Sequence, residues 1–187
     1  MKGIVFTEFI EMVEERFSPE VADDIITAAN LPSGGSYTGV ATYDHRELLS
    51  LVQNLSKVSG IAVPELVREF GRHLFQRFVK LFPQLFVGID SPAEFLRGIE
   101  DHIHVEVRKL YPDTELPTFA YRDLGPDSVE LTYRSSRPFA DLAEGLIAGC
   151  CEHFNVPVEI RRTGGVVRGE TEVRFCVTFS KQPALAN

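Results

Sequence analysis

The sequence lacks the features that mark membrane, secreted and nucleic-acid-binding proteins. No apolar run approaches the roughly 20 residues that a membrane-spanning helix needs. The first segment does not read as a signal peptide, because four glutamates interrupt it between residues 8 and 15. Basic charge is also scarce, since 19 Lys and Arg residues stand against 27 Asp and Glu residues, and phosphate binding needs concentrated positive charge. We therefore expect a cytoplasmic protein that binds neither nucleic acid nor a membrane.

Cysteine is sparse and odd in number, with Cys150, Cys151 and Cys176 as the three thiols. Adjacent cysteines rarely bridge each other, so reduced thiols are expected. Together with His153 they resemble a zinc-ligand set, but their spacing matches no common structural-zinc pattern. Buried small apolar side chains are the favoured interpretation, and a thiol or zinc redox sensor is the alternative.

Common enzyme signatures are also missing from the chain. It has no Walker loop, HExxH, CxxC, glycine-rich fingerprint after a strand, or nucleophile elbow. Paired carboxylates such as Asp23 and Asp24 fall on a helix surface that is predicted to be solvated. No enzymatic activity is therefore predicted.

The apolar pattern that is present predicts one α+β domain. Helical spacing indicates helices over residues 2–17, 19–30, 45–60, 63–82 and 92–111. From about residue 119 the apolar residues alternate, which predicts the order strand, strand, helix, strand, strand, with the helix over 139–154 and the last turn at Gly164 and Gly165. The predicted architecture is an N-terminal helical half packed on a C-terminal antiparallel sheet with one long helix.

The helix over 63–82 is rich in Phe and Leu and has a wide apolar stripe. A central core helix is the simplest interpretation, and a cavity lined by these side chains is the alternative. Gly71 lies in its middle, where glycine costs about 1 kcal/mol relative to alanine. Close approach of another group is expected there.

Two short patterns carry residues that could bind a metal or an anionic group. His102 and His104 lie on opposite flanks of the apolar stripe of the 92–111 helix, so helical geometry alone does not choose between them. Two solvated histidines are the plain interpretation.

An extended segment carries Tyr133, Ser135 and Arg137 at alternate positions, where three donors can converge on an anionic group. A polar cross-strand face is the alternative.

These patterns, in register with Pro117, resemble the H-NOX family of haem-nitric oxide/oxygen binding domains, which includes the sensor domain of soluble guanylate cyclase. His104 and Pro117 match the family's proximal histidine and proline, and Tyr133-x-Ser135-x-Arg137 matches its YxSxR motif. The resemblance extends from Met1 to the final strand. It implies one domain over residues 1–187, with a helical distal subdomain of about 1–62 and a haem-clamping proximal subdomain of about 63–187.

The resemblance also assigns roles around a buried haem b. His104 is the implied iron ligand through Nε2, Pro117 presses on the porphyrin, and Gly71 lets its helix approach the ring. The implied propionate ligands are Tyr133, Ser135 and Arg137. The implied distal lining is Val5, Phe9, Leu74 and Phe78.

One departure from the family pattern bears on gas selectivity. Members that bind O₂ stably carry a tyrosine where this chain has Leu142, and Phe9 and Leu74 offer no donor either. The resemblance therefore implies binding of NO and CO at ferrous haem and exclusion of O₂, unless His73 turns inward. Release of His104 on NO binding would signal to a separate histidine kinase or cyclic-di-GMP enzyme. A haem-free module that binds an apolar ligand is the competing hypothesis.

Overall fold

The computed structural model describes residues 1–167 and 169–180, and it confirms the α+β class. Two short segments join the regular elements: a 3₁₀ turn at Pro83–Phe86 and a π-helical turn at Ile99–Ile103. The helices are α1 Gly3–Arg16, α2 Pro19–Ala29, α3 His45–Ser59, α4 Val63–Leu81, α5 Pro92–Arg97, α6 His104–Leu110 and α7 Ala140–His153. The strands are β1 Thr118–Gly125, β2 Ser128–Ser135, β3 Val158–Val167 and β4 Glu170–Phe179. No helix in these residues is long and apolar enough to cross a membrane.

The first four helices lie where the periodicity predicts them, and at α2 and α3 the predicted end signals are also satisfied. The Ser18 hydroxyl accepts a hydrogen bond from Val21 N at 3.2 Å and starts α2. Asp44 starts α3 in the same way, with Arg46 N at 2.9 Å. Gly60 ends α3 in the left-handed conformation, with φ of 73°. These predictions are confirmed.

The four strands form one antiparallel sheet in the order β1-β2-β4-β3. The predicted turn at Gly164 and Gly165 is wrong, since both glycines lie inside β3 and pair with Val173 and Glu172. At Gly164, which has φ of 108°, an added Cβ would lie 2.4 Å from the carbonyl oxygen of Glu172. The glycine therefore marks a close backbone approach within the sheet.

The predicted single helix over 92–111 is also wrong. The chain leaves the α conformation at Gly98, and the N–H of Ile103 bonds to Gly98 O at 3.1 Å, a five-residue step typical of a π turn. The extra residue changes the rotation along the helix, so a uniform 100° step no longer applies across it. As a result, His104 is buried with 7% of its surface exposed, whereas His102 is exposed.

The core has two parts that meet where α4 packs against α7. An added Cβ at Gly71 would lie 2.5 Å from Leu142 O, and one at Gly145 would lie 2.1 Å from Arg68 O. The group that approaches Gly71 is therefore the backbone of α7, and the expectation that this glycine faces a ring is wrong. Glycine at both positions brings the two helices into backbone contact.

Candidate functional site

A cavity of about 280 Å³ lies between α1, α4, α6, α7 and the end of β2. Its volume is close to the lower end of small-molecule sites, which run from about 300 to 1,000 Å³. The residues singled out from the sequence that line it are His104, Pro117, Tyr133, Ser135, Arg137, Val5, Leu74, Phe78 and Leu142. Phe9 is fully buried behind this lining, with its ring edge-on to Phe70 at 5.2 Å.

His104 is the first residue of α6 and presents an imidazole to the cavity. Its Nδ1 lies 3.0 Å from Oε1 of Glu100. Because a carboxylate only accepts hydrogen bonds, Nδ1 carries the proton and Nε2 keeps its lone pair. Burial lowers the pKa of His104, and this effect outweighs the opposing influence of Glu100. The side chain therefore has the neutral form that a metal-ligating histidine needs.

Glu100 was not singled out from the sequence, although it stands four residues before His104 on the same side of the helix. Its Oε1 also accepts a hydrogen bond from the backbone N–H of Phe119 at 2.8 Å. This carboxylate thus connects the π turn to the start of β1. The four-residue spacing between Glu100 and His104 is the sequence signal that could have found this contact. The hydrogen bond from Phe119 could not be found in this way, because it joins two segments that no local pattern relates.

Tyr133, Ser135 and Arg137 lie together at the end of β2 and line one side of the cavity. Burial raises the pKa of Tyr133, and a hydrogen bond with Ser135 opposes that shift, so the phenol stays neutral and can donate. The Ser135 hydroxyl accepts the backbone N–H of Arg137 at 3.0 Å. Ser135 is therefore linked to Tyr133 through its side chain and to Arg137 through the backbone N–H of that residue.

The Arg137 guanidinium already holds a carboxylate in this structure. It donates to Oε2 of Glu115 at 2.5 Å and to the Glu115 carbonyl at 3.1 Å, while Ser136 donates to Oε1 at 2.9 Å. Glu115 belongs to the loop between α6 and β1 that also carries Pro117. No local pattern indicates Glu115, because its pairing with Arg137 connects the loop before β1 to the turn after β2. The guanidinium fork and the neighbouring hydroxyl at this corner thus bind the carboxylate of Glu115, the geometry that charge-assisted recognition of a carboxylate requires.

The wall formed by α1, α4 and α7 is different, because none of its cavity-lining side chains is a hydrogen-bond donor. Its lining residues are Ile4, Val5, Leu74, Phe75, Phe78, Leu142, Ala143, Leu146 and Ile147. His73 is not among the lining residues. Its Nε2 is buried without a hydrogen-bond partner, and Glu8 and Glu15 of α1 are among the charges that act on it. His73 therefore does not supply a donor to this wall.

The thiols are not arranged as a site. Cys150 and Cys151 are fully buried on α7, and burial raises the pKa of both, that of Cys151 to about 12. Thiols with such pKa values stay protonated and unreactive. Among the described residues, no group of three or more His, Cys, Asp or Glu side chains is placed to hold a metal. The geometry does not support the thiol or zinc alternative.

The donor set fits a haem: one neutral imidazole, a carboxylate-binding corner for propionates, and an apolar cleft between them. This combination and the fold define a haem-binding sensor domain. A family model described as Haem-NO-binding matches residues 2–162. The chain therefore belongs to the haem-NO-binding, or H-NOX, family of gas-sensor domains.

Solved structures of H-NOX proteins agree with this assignment. The Fe(II) unliganded H-NOX protein from K. algicida is 40% identical, covers 100% of both chains and has a TM-score of 0.90. The H-NOX from Shewanella woodyi, in the Fe(II)CO ligation state, is 43% identical over 100% of this chain and 97% of that one, with a TM-score of 0.81. The S. oneidensis H-NOX in the Fe(II)NO ligation state is 26% identical over 97% and 100%, with a TM-score of 0.87.

Proposed function

We propose that this chain binds haem b through His104 and senses NO, and also CO, while excluding O₂. The observation that carries the proposal is the buried, neutral imidazole of His104, which is oriented by Glu100 inside a cavity that is otherwise mostly apolar. A ferrous haem supplies the iron at which a diatomic gas binds.

Each side of the cavity has a distinct proposed role toward that group. His104 would ligate the iron through Nε2, and Pro117 would pack against the haem on the same side. At the end of β2, the propionates would be held by Tyr133, Ser135 and Arg137. The rest of the lining toward the haem would be Val5, Leu74, Phe78 and Leu142, with Phe9 packed behind them.

Gas selectivity follows from the chemistry of the opposite wall. Bound O₂ carries partial negative charge, which a hydrogen-bond donor stabilises, whereas NO and CO depend much less on one. Because the α1, α4 and α7 lining is made of carbon side chains, a bound O₂ gains no such bond there. The relatives solved in Fe(II)NO and Fe(II)CO states support binding of these two gases.

The proposed signal is the release of His104 when NO binds. That release would free the start of α6 and the π turn from the cavity. The distal part, about residues 1–62, would then shift relative to residues 63–187. The proposed receiver is a separate histidine kinase or cyclic-di-GMP enzyme.

The absorption spectrum of the reduced, haem-reconstituted protein tests this proposal when recorded under argon, air, CO and NO. We expect a five-coordinate ferrous spectrum under argon that is unchanged by brief exposure to air, and distinct new spectra with CO and with NO. A stable oxygenated spectrum in air would contradict the proposed selectivity. A protein that stays colourless after reconstitution would favour a haem-free module whose cavity binds an apolar ligand.

A further inference from the structure

One carboxylate oxygen, Oε1 of Glu100, makes two hydrogen bonds at the edge of the cavity. It accepts from Nδ1 of His104 at 3.0 Å and from the backbone N–H of Phe119 at 2.8 Å. The Glu100 side chain is 30% exposed, whereas the His104 side chain is only 10% exposed. The bond from Phe119 thus holds a partly exposed carboxylate against the buried imidazole.

We infer that Glu100 is a positioning residue that sets the tautomer, direction and donor strength of His104, an inference that rests on the proposed function. A metal-ligating histidine that donates its other ring N–H to a carboxylate is a stronger base at the ligating nitrogen, because the proton is drawn toward the negative charge. A neutral acceptor in the same place withdraws the proton less. The charge on Glu100 is therefore the specific feature that matters.

The hydrogen bond between Glu100 and β1 also affects the basicity of His104. In a free helix, Glu100 could rotate toward solvent, because nearly a third of its side chain is exposed. The Phe119 N–H, which belongs to the strand after the loop of Pro117, prevents that rotation. The basicity of His104 thus depends on contact between the π turn and the sheet.

Glu100→Gln is the variant that separates charge from shape, because glutamine keeps a carbonyl oxygen where the carboxylate accepts. In the ferrous, haem-loaded protein we expect the iron–histidine stretching frequency to fall in the resonance Raman spectrum. We also expect the ferric/ferrous reduction potential to rise, because a nearby negative charge that favours ferric iron is lost. Haem transfer to an excess of a haem-scavenging globin should be about 10- to 100-fold faster, as for other losses of partners to ligating histidines.

Glu106→Gln is the matched control, because it removes the same charge from α6 at a carboxylate that pairs with Lys109 instead. Control and wild-type protein should agree in frequency, potential and transfer rate. If Glu100→Gln also matches wild-type protein in all three, the inference is overturned while the proposed function stands. A wild-type protein that binds no haem overturns both.

A measurement on the wild-type protein covers the case in which Glu100→Gln does not fold. In the diamagnetic ferrous CO form, the proton on Nδ1 of His104 should give an NMR signal that is protected from exchange with solvent, because the proton is donated to a carboxylate. A signal that exchanges rapidly would overturn the inference.

Discussion

The two walls of the cavity are built from different kinds of structure and carry opposite chemistry. Most hydrogen-bonding groups lie on the short α6, the loop that follows it and the end of β2, and Lys2, just before α1, also lines the cavity. The other side consists of carbon side chains on the long helices α1, α4 and α7. The polar wall can hold an iron and two carboxylates, whereas the apolar wall gives a gas molecule little beyond contact. In the proposed function, cofactor binding and gas selection therefore belong to separate walls.

The walls also differ in how firmly they are fixed. On the apolar side, Gly71 and Gly145 bring α4 and α7 into backbone contact. On the polar side, His104 follows a π turn and is held by one side-chain hydrogen bond. A change at the cavity should therefore move the polar wall first.

The largest expected effect comes from removing the proposed iron ligand of the polar wall. We expect His104→Ala to lose haem binding, because no other cavity-lining residue is a histidine or cysteine. The Soret absorbance after reconstitution measures this loss, and added imidazole should restore it. His102→Ala is the control, because His102 is exposed two residues away and should bind haem normally. Equal Soret bands for the two variants would contradict the assignment.

A donor placed on the apolar wall should remove the chemical difference between the walls. We expect Leu142→Tyr to raise O₂ affinity about 10- to 100-fold, since a hydrogen bond to a charged acceptor contributes roughly 1.5 to 3 kcal/mol. Leu142→Phe supplies the same ring without the hydroxyl and should not bind O₂ stably. Oxygen titration of both ferrous variants checks this, and equal affinities would show that ring size, not the hydroxyl, is responsible.

The close packing of the apolar wall should be sensitive to a single methyl group. An added Cβ at Gly145 would meet the Arg68 carbonyl, so Gly145→Ala should lower the free energy of unfolding by about 1 to 3 kcal/mol. Urea denaturation measures the change. Gly165→Ala is the control, because no atom lies within 4 Å of an added Cβ there. A Gly145→Ala protein as stable as wild-type would mean that the helices separate easily.

The smallest effect concerns His73, which lies outside the cavity. Burial lowers the pKa of His73 from its usual value of 6.5, so the folded protein keeps it neutral while the unfolded chain takes up a proton. Stability is therefore fully present above about pH 6.5 and is lost as the pH falls through and below that value. We expect His73→Gln to show a shallower loss than wild-type protein between pH 7 and pH 5.5 in thermal denaturation. His102→Gln should retain the wild-type slope.

Local signals predicted most of the fold, and they failed where two distant segments decide the structure. Capping residues such as Ser18 and Asp44 located the early helices, and alternation located the strands. The π turn before His104 was missed because periodicity assumes a constant rotation per residue. Gly71 was assigned to the wrong neighbour, since sequence spacing shows that something approaches but not what.

The candidate site shows the same contrast between local sequence signals and contacts made by distant segments. The alternating Tyr133, Ser135 and Arg137 are visible in the sequence, because a strand places Tyr133 and Ser135 on one side and Arg137 follows two residues after its end. Glu100 and Glu115 were not found, because their partners at Phe119 and Arg137 are distant in sequence. Hydrogen bonds across loops are set by the packing of whole elements, which no short pattern encodes.

His104 is the group of the polar wall whose bond to the iron we propose is broken when NO binds beside the apolar wall. The electron paramagnetic resonance spectrum of the ferrous protein with NO tests it directly, using protein labelled with ¹⁵N-histidine. We predict hyperfine splitting from NO alone and no change on labelling. A spectrum with additional splitting from an imidazole nitrogen that changes with the label would show that His104 stays bound, and would contradict the account.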